Sequence, residues 1–117
     1  MDEKKAGKMG SVRIADDVLL TIIGLAATDV PGVFSLAGGI RHDMITRYDM
    51  KNISKSIRIA AGEDHSLSAR IALILDGSVS IPEVTAGVRE KVASAIDSMT
   101  GLKMNEIEVT VAGVNIA

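Results

Sequence analysis

The sequence contains no cysteine and no tryptophan, and it has only one phenylalanine and one tyrosine among 117 residues. Without cysteine, the chain has no disulfide, no thiolate metal site and no cysteine nucleophile. Because aromatic side chains are so scarce, the core has to consist of Ile, Val, Leu, Ala and Met. Hydrophobic residues make up 47% of the chain, which is long enough for one domain with a real core. The composition therefore predicts a single folded domain.

The chain also lacks a strong charge of one sign and a long apolar run. Its formal net charge is -2, which does not suggest a protein built as a whole to neutralise nucleic acid. The longest strongly apolar stretch, residues 18–27, has about half of the ~20 residues that a membrane-spanning helix needs. The first ten residues, MDEKKAGKMG, are polar and unlike a secretory signal. We expect residues 1–10 to be a disordered tail and residues 11–117 to form the domain.

No motif for catalysis, cofactor binding or metal binding is recognisable. His42 and His65 lie in charged, turn-like segments without further ligands at the spacing of a zinc site, and neither belongs to an identifiable triad. Gly38 and Gly39 precede Arg41, but the spacing of a phosphate-binding loop is absent. We therefore predict no catalytic residue, no cofactor and no metal, and an enzyme is the lowest-ranked class of function.

Apolar periodicity indicates an α+β fold. Asp16 and Asp17 precede an apolar helix that stops near Pro31, and two alternating strands follow at residues 57–61 and 67–75. Ser80 and Glu83 have the spacing of a helix capping box. The helix that they begin carries an apolar stripe and stops at Gly101, and a last alternating strand covers residues 107–114. The apolar stripe comprises Val84, Val88, Val92, Ala95, Ile96 and Met99.

These elements predict the order (β)αββαβ, in which the bracketed strand is residues 11–14, either a short strand or an extended lead-in. Two helices would pack on one face of a small mixed sheet of about three strands. Since a helix connects the last two strands, those strands are predicted to be parallel neighbours. Residues 33–36 are compatible with one further short strand.

A basic segment is the most distinctive surface feature. Five cations at positions 41–58 outnumber Asp43 and Asp49, which gives a local net charge of +3 (5 − 2). This excess is compatible with an anionic partner such as nucleic acid or lipid head groups, but we favour an ordinary solvated loop. Only Tyr48 is available there to stack on a base, and the GxxG loop of KH-type RNA-binding modules is absent. The five cations are Arg41, Arg47, Lys51, Lys55 and Arg58.

Three blocks of the sequence resemble the alkaline shock protein family of Gram-positive bacteria. They are VRIADDVLLTIIGLAATDVPGVFSLAGG, KNISKSIRI and SIPEVTAGVREKVASAIDSMTGLKMNEIEVTVAGV, and the likeness covers about residues 11–115. Two turn positions depart from the family pattern, because Ser56 stands where glycine is usual and Asp76 where an aromatic residue is usual. The closing block is the most specific, since identities recur in order across a helix and a strand.

The resemblance implies a non-enzymatic, cytoplasmic protein of the cell-envelope stress response. Some members of the family are held at the membrane by a separate small membrane protein and assemble with themselves. From this we expect a scaffold or adaptor whose partners are other copies and a membrane anchor. The candidate assembly edge is the last strand, with Ile107, Val109 and Val111. The alternative function is a small RNA-binding or nucleic-acid-binding module that uses the basic segment.

Overall fold

The structure is a computed structural model, and it describes residues 14–45 and 50–116. These residues form three α-helices and four strands. The predicted tail at residues 1–10, most of the predicted strand at residues 11–14, and Arg47 lie outside the described residues. The elements are α1 (Asp16–Thr28), β1 (Val33–Leu36), α2 (Met50–Ser56), β2 (Ile57–Ala61), β3 (Ser66–Asp76), α3 (Ile81–Thr100) and β4 (Lys103–Asn115).

The boundaries of α3 follow from local chemistry. The Ser80 hydroxyl oxygen accepts a hydrogen bond from the Glu83 backbone N–H at 3.5 Å, which satisfies one of the unpaired donors of the first turn. Pro82 stands at a position where an N–H would have no helical partner. At the other end Gly101 adopts a left-handed conformation with φ 76°, and its N–H bonds the Asp97 carbonyl. The predicted start and stop of this helix are confirmed.

The sheet is built around β3, which has neighbours on both sides. β2 pairs antiparallel with the first part of β3, and β1 pairs antiparallel with its last part, so both lie along one side of β3. β4 pairs parallel with β3 along the other side. The predicted hairpin and the predicted parallel neighbours are therefore both confirmed.

One face of this sheet carries the core. Alternate residues of β3 are buried and pack with buried residues of α1 and α3 in one aliphatic cluster. The buried residues of α3 in this cluster are Val84, Val88, Val92 and Ile96. Met99, which the sequence pattern assigns to the same stripe, is 71% exposed. Burying apolar area is the main stabilising term, and here it fixes which face the helices cover.

The α+β class is confirmed, with two corrections to the predicted order. The sheet has four strands rather than about three, because Val33–Leu36 forms β1. A short third helix, α2, precedes β2 within the basic segment. Only Ile53 and Ser56 of α2 are buried, so its seven residues show too little apolar periodicity to reveal a helix.

Candidate functional site

β4 is an edge strand, as the candidate assembly edge requires. Among the described residues it pairs with β3 alone, so its outer side presents backbone N–H and C=O groups without a strand partner. Such a side is a template for another strand. At 13 residues it is the longest strand of the sheet. We call this outer side the β4 edge.

The apolar row of β4 is only half covered. Ile107, Val109 and Val111 pair in register with Ala69, Ile71 and Leu73, which places all three on the helix-bearing face. Their β3 partners are at most 4% exposed, whereas the β4 residues are of intermediate exposure. A second strand along the β4 edge would therefore cover more apolar surface in addition to backbone groups.

Two irregularities and two acids restrict how the β4 edge can pair. The register with β3 shifts at Asn105 and at Ala112, which leaves residues 106–111 as the regular stretch. Glu106 and Glu108 are exposed on the face opposite the helices. Charges and bulges are features by which edge strands avoid unselective pairing, so they favour a specific register over general aggregation.

The face of the sheet opposite the helices is a second accessible surface, which we call the open face. Shallow hollows of about 440 Å³ and about 330 Å³ lie on it, and Arg58 and Arg70 line both. We restrict the name to residues that the registers place around these hollows, where the side chains are short except for four charged ones. The residues of the open face are Arg58, Ala60, Ser68, Arg70, Ala72, Glu106, Glu108 and Thr110.

Three charged residues form one row across the open face. Arg58 lies opposite Arg70 in the β2–β3 register, and Arg70 lies opposite Glu108 in the β3–β4 register. The Arg70 Nε donates to Glu108 Oε1 at 3.1 Å, with side chains 74% and 56% exposed. An exposed pair of this kind contributes about 0–1 kcal/mol, so it orients the two side chains more than it stabilises the fold.

Four of the five cations of the predicted basic segment lie in the described residues, and Arg47 does not. Lys55 and Arg58 line the smaller hollow of the open face together with Arg70. Lys51 is exposed on α2, and Arg41 lies at a separate turn with Asp43 3.9 Å away. Of the four described cations of the segment, Lys55 and Arg58 therefore line the hollow, and Arg41 and Lys51 are not part of its lining.

The sequence pattern assigns Arg70 no role, yet it is central to the open face. It occupies a polar position of a strand with one buried face, a pattern that by itself only indicates solvent. The signal that would identify it is the hairpin register, since counting back from the turn at residues 62–65 places Arg70 opposite Arg58. Glu108 follows in the same way from the predicted parallel pairing.

His42 has a structural contact rather than a ligand set. Its Nδ1 lies 2.9 Å from the Thr28 hydroxyl, which itself donates to the Gly24 carbonyl at 2.7 Å. Because that hydroxyl has a single hydrogen, the imidazole Nδ1 is the donor to Thr28. No cluster of three or more potential metal ligands occurs within residues 14–45 and 50–116.

An ion pair joins α1 to α3 on the helix side. Lys91 Nζ lies 2.8 Å from Asp29 Oδ2, with side chains about half exposed. The hydrogen bond from Lys91, and then its positive charge, lower the pKa of Asp29 below its ordinary value of 3.8. In the described part of the chain, no helix is both long enough and apolar enough to cross a membrane.

The described residues form an α+β domain with an exposed sheet edge. A family model whose description reads "cell envelope-related function" matches residues 4–116. This model is that of the alkaline shock proteins. The chain therefore belongs to the alkaline shock protein family, which confirms the predicted resemblance.

Relatives from two bacteria share most of the chain. The protein YqhY of Bacillus subtilis strain 168 is 30% identical over 106 residues, covering 91% of this chain and 78% of its own. Spy1614 of Streptococcus pyogenes serotype M6 is 25% identical over 111 residues, covering 93% and 91%. Both bear the description "uncharacterized", so they extend the family assignment without adding an activity.

Among solved structures, the MamM CTD has a similar fold. A doubly substituted form superimposes with a TM-score of 0.59 at 15% identity, covering 86% of this chain and 95% of the MamM CTD. A copper form gives 0.57 at 15% identity, covering 85% and 98%. At this level of identity the likeness concerns the fold alone.

Proposed function

We propose that this protein is a non-enzymatic scaffold or adaptor of the cell-envelope stress response. It acts in the cytoplasm, self-associates through the β4 edge, and docks at the inner face of the membrane through a protein partner. The observation that carries the proposal is the β4 edge itself. The strand is 13 residues long, and its outer side has no strand partner in the described structure. Its apolar row is only half covered. The cell envelope-related description of the family supports the setting.

Pairing of two β4 edges has one favoured register. In an antiparallel pair centred on Val109, Ile107 faces Val111 of the second copy, and Glu108 faces Thr110 of that copy. If the centre moves to Glu108, the two Glu108 side chains face each other, and like charges directly opposite are destabilising. The regular stretch of residues 106–111 accommodates the favoured register over about 20 Å.

A membrane-anchored partner would use the same kind of contact. An extended segment of another protein that adds to a sheet edge gains backbone hydrogen bonds, while side-chain pockets select the segment. Either a second copy or an anchor protein could add a strand to the β4 edge. The two would compete for the edge of one molecule, or different molecules of an assembly would bind one or the other.

Sedimentation equilibrium of three variants tests the self-association. Val109→Lys places a charge inside the apolar row of the edge, and Val109→Pro removes a backbone donor; each should weaken self-association at least tenfold. Ile59→Lys is the matched control, because Ile59 has the same intermediate exposure on β2, at the opposite side of the sheet. Circular dichroism shows whether each variant folds.

Wild-type protein should exceed the 12.3 kDa monomer mass as its concentration rises. A strict monomer would contradict assembly through the β4 edge. So would a Val109→Lys variant that self-associates as strongly as wild type and as Ile59→Lys.

A second candidate function, RNA binding, is favoured by one observation. Lys55, Arg58 and Arg70 line the same hollow and would bring three cations to one phosphate. Glu106 and Glu108 lie on the same face, however, and would repel a polyanion that crosses it. For this reason the scaffold is the leading proposal.

A further inference from the structure

The open face is electrically polarised across its strands. Arg58 lies on β2, and Lys55 lies two residues before that strand, in the last turn of α2. Glu106 and Glu108 lie on β4. Arg70 stands between them on β3 and is paired with Glu108. The four charged residues of the face proper, two arginines and two glutamates, sum to zero, so the face has a positive side and a negative side.

The order of charges in the row Arg58–Arg70–Glu108 determines which two-fold axis would bring opposite charges of two copies together. A two-fold axis parallel to β3, lying just above the open face, places β4 of a second copy over β2 of the first. Positions along the strands are preserved by this rotation. Glu108 of the second copy therefore lies over Arg58, and Arg58 of the second copy lies over Glu108.

From this geometry we propose that the open face is self-complementary and that its occupant is the open face of a second copy. The inference rests on the proposed self-association and deepens it, because it adds a surface that is separate from the β4 edge. Each Glu108 would accept hydrogen bonds from its own Arg70 and from Arg58 of the other copy. The short side chains of Ala60, Ser68, Ala72 and Thr110 permit two sheets to approach to about 10 Å.

A polyanion matches the open face less well. RNA or an anionic lipid surface would meet Arg58 and Lys55 favourably, but it would also meet Glu106 and Glu108 within two strand spacings, about 10 Å. At that separation, charges are only partly screened at physiological salt. The second copy presents both signs in reversed order, so Arg58 and Glu108 of each copy meet opposite charges. Arg70 of the two copies meet at the axis, where each is paired with its own Glu108.

The size of the open face predicts a weak contact. Three strands at about 4.8 Å and three rows of side chains span about 14 Å by about 20 Å. This footprint is well below the ~800 Å² per partner that stable complexes bury. The pairing should therefore appear at protein concentrations of about 0.1–1 mM, where charge complementarity decides the partner.

Mixing two single charge reversals tests the proposal. In Arg58→Glu, two glutamates meet two glutamates across the axis, and in Glu108→Arg, arginines meet arginines, so each variant alone should associate less than wild type. A mixture of the two variants restores both opposite-charge contacts. We expect the mixed pair to form at least tenfold more tightly than either variant with itself, and to weaken as salt rises from about 50 mM to about 500 mM.

The experiment is run with Val109→Lys in both chains, so that the β4 edge is blocked and only the open face remains. The readout is sedimentation equilibrium, with one variant fluorescently labelled. The double variant Arg58→Glu/Glu108→Arg is a second measurement, because it reverses both sides and should pair with itself as wild type does. Matched controls are Arg89→Glu and Glu90→Arg, two exposed positions on α3 with the same change of charge.

Preferential pairing of the open-face variants, absent from the control pair, supports the inference. Equal behaviour of all mixtures would overturn it, as would unchanged self-association of either single reversal. If the same charge reversals associate in chains that retain Val109 but not in chains that carry Val109→Lys, the β4 edge alone accounts for the association. The proposed function is tested separately by Val109→Lys and Val109→Pro, in which the open face is unaltered. It fails if these variants self-associate as wild type does.

Discussion

Substitution of Gly32 by alanine should expose how tightly the end of α1 is fitted to the start of α3. Gly32 has a φ of 99°, a conformation that L side chains rarely adopt. A Cβ atom there would lie 2.7 Å from Val84 Cγ2 and 3.2 Å from Val79 Cγ1. Val84 is only 7% exposed, in the first turn of α3, and has little room to move.

Two costs add in this variant. The positive φ costs about 1–2 kcal/mol for a residue with a Cβ, and overpacking of a buried site costs about 1–3 kcal/mol. We therefore expect Gly32→Ala to lower the free energy of unfolding by about 2–5 kcal/mol. The Gly32 carbonyl also accepts a hydrogen bond from the Asp76 N–H at 2.9 Å, so a shift of the backbone would disturb the end of β3.

Gly39→Ala is the matched control for this prediction. Gly39 also has a positive φ, 83°, but a Cβ there would meet nothing within 4 Å. It should lose only the conformational term, about 1–2 kcal/mol. Urea unfolding followed by circular dichroism measures both variants, with equal m-values as the test of two-state behaviour. A Gly32→Ala loss within about 0.5 kcal/mol of the Gly39→Ala loss would refute the packing argument.

Two further predictions concern charged groups. Because the pKa of Asp29 is lowered in the folded state, the contribution of its pair with Lys91 is present above pH 3.8 and is lost as the pH falls through the folded-state pKa. The difference in urea midpoint between wild type and Lys91→Met should therefore shrink between pH about 5 and pH about 2.5, and a constant difference would contradict the assignment. For RNA, fluorescence anisotropy with a single-stranded probe should show no binding that depends on Lys51 and Lys55. Salt-sensitive binding that is lost in Lys51→Glu/Lys55→Glu would instead favour the nucleic-acid alternative.

The elements that the sequence predicts well have short-range causes. The cap at Ser80, the stop at Gly101 and the alternation in β3 each depend on residues within a few positions of one another. The parallel pairing of β3 and β4 follows from the crossover rule once α3 is placed between them. These features determine the fold class and identify β4 as a strand that could form an edge.

The features that the sequence does not reveal depend on long-range pairing. α2 is short and polar, and Ile53 is the one residue of it that belongs to the buried hydrophobic core. Met99 fits the helical stripe by its spacing, but it is exposed and borders a hollow lined by residues of α1 and α3. The row Arg58–Arg70–Glu108 depends on two strand registers at once, so no local pattern in the sequence indicates it.

The measurement that tests the central claim most directly is disulfide cross-linking across the β4 edge. The chain has no native cysteine, so an introduced thiol is unique. In the register centred on Val109, position 108 of one copy lies opposite position 110 of the other, with Cβ atoms about 5 Å apart. Mixed under oxidising conditions, Glu108→Cys and Thr110→Cys should form the mixed 108–110 dimer rapidly, while each alone should cross-link slowly. Equal, slow cross-linking in all three samples would contradict self-association through this edge.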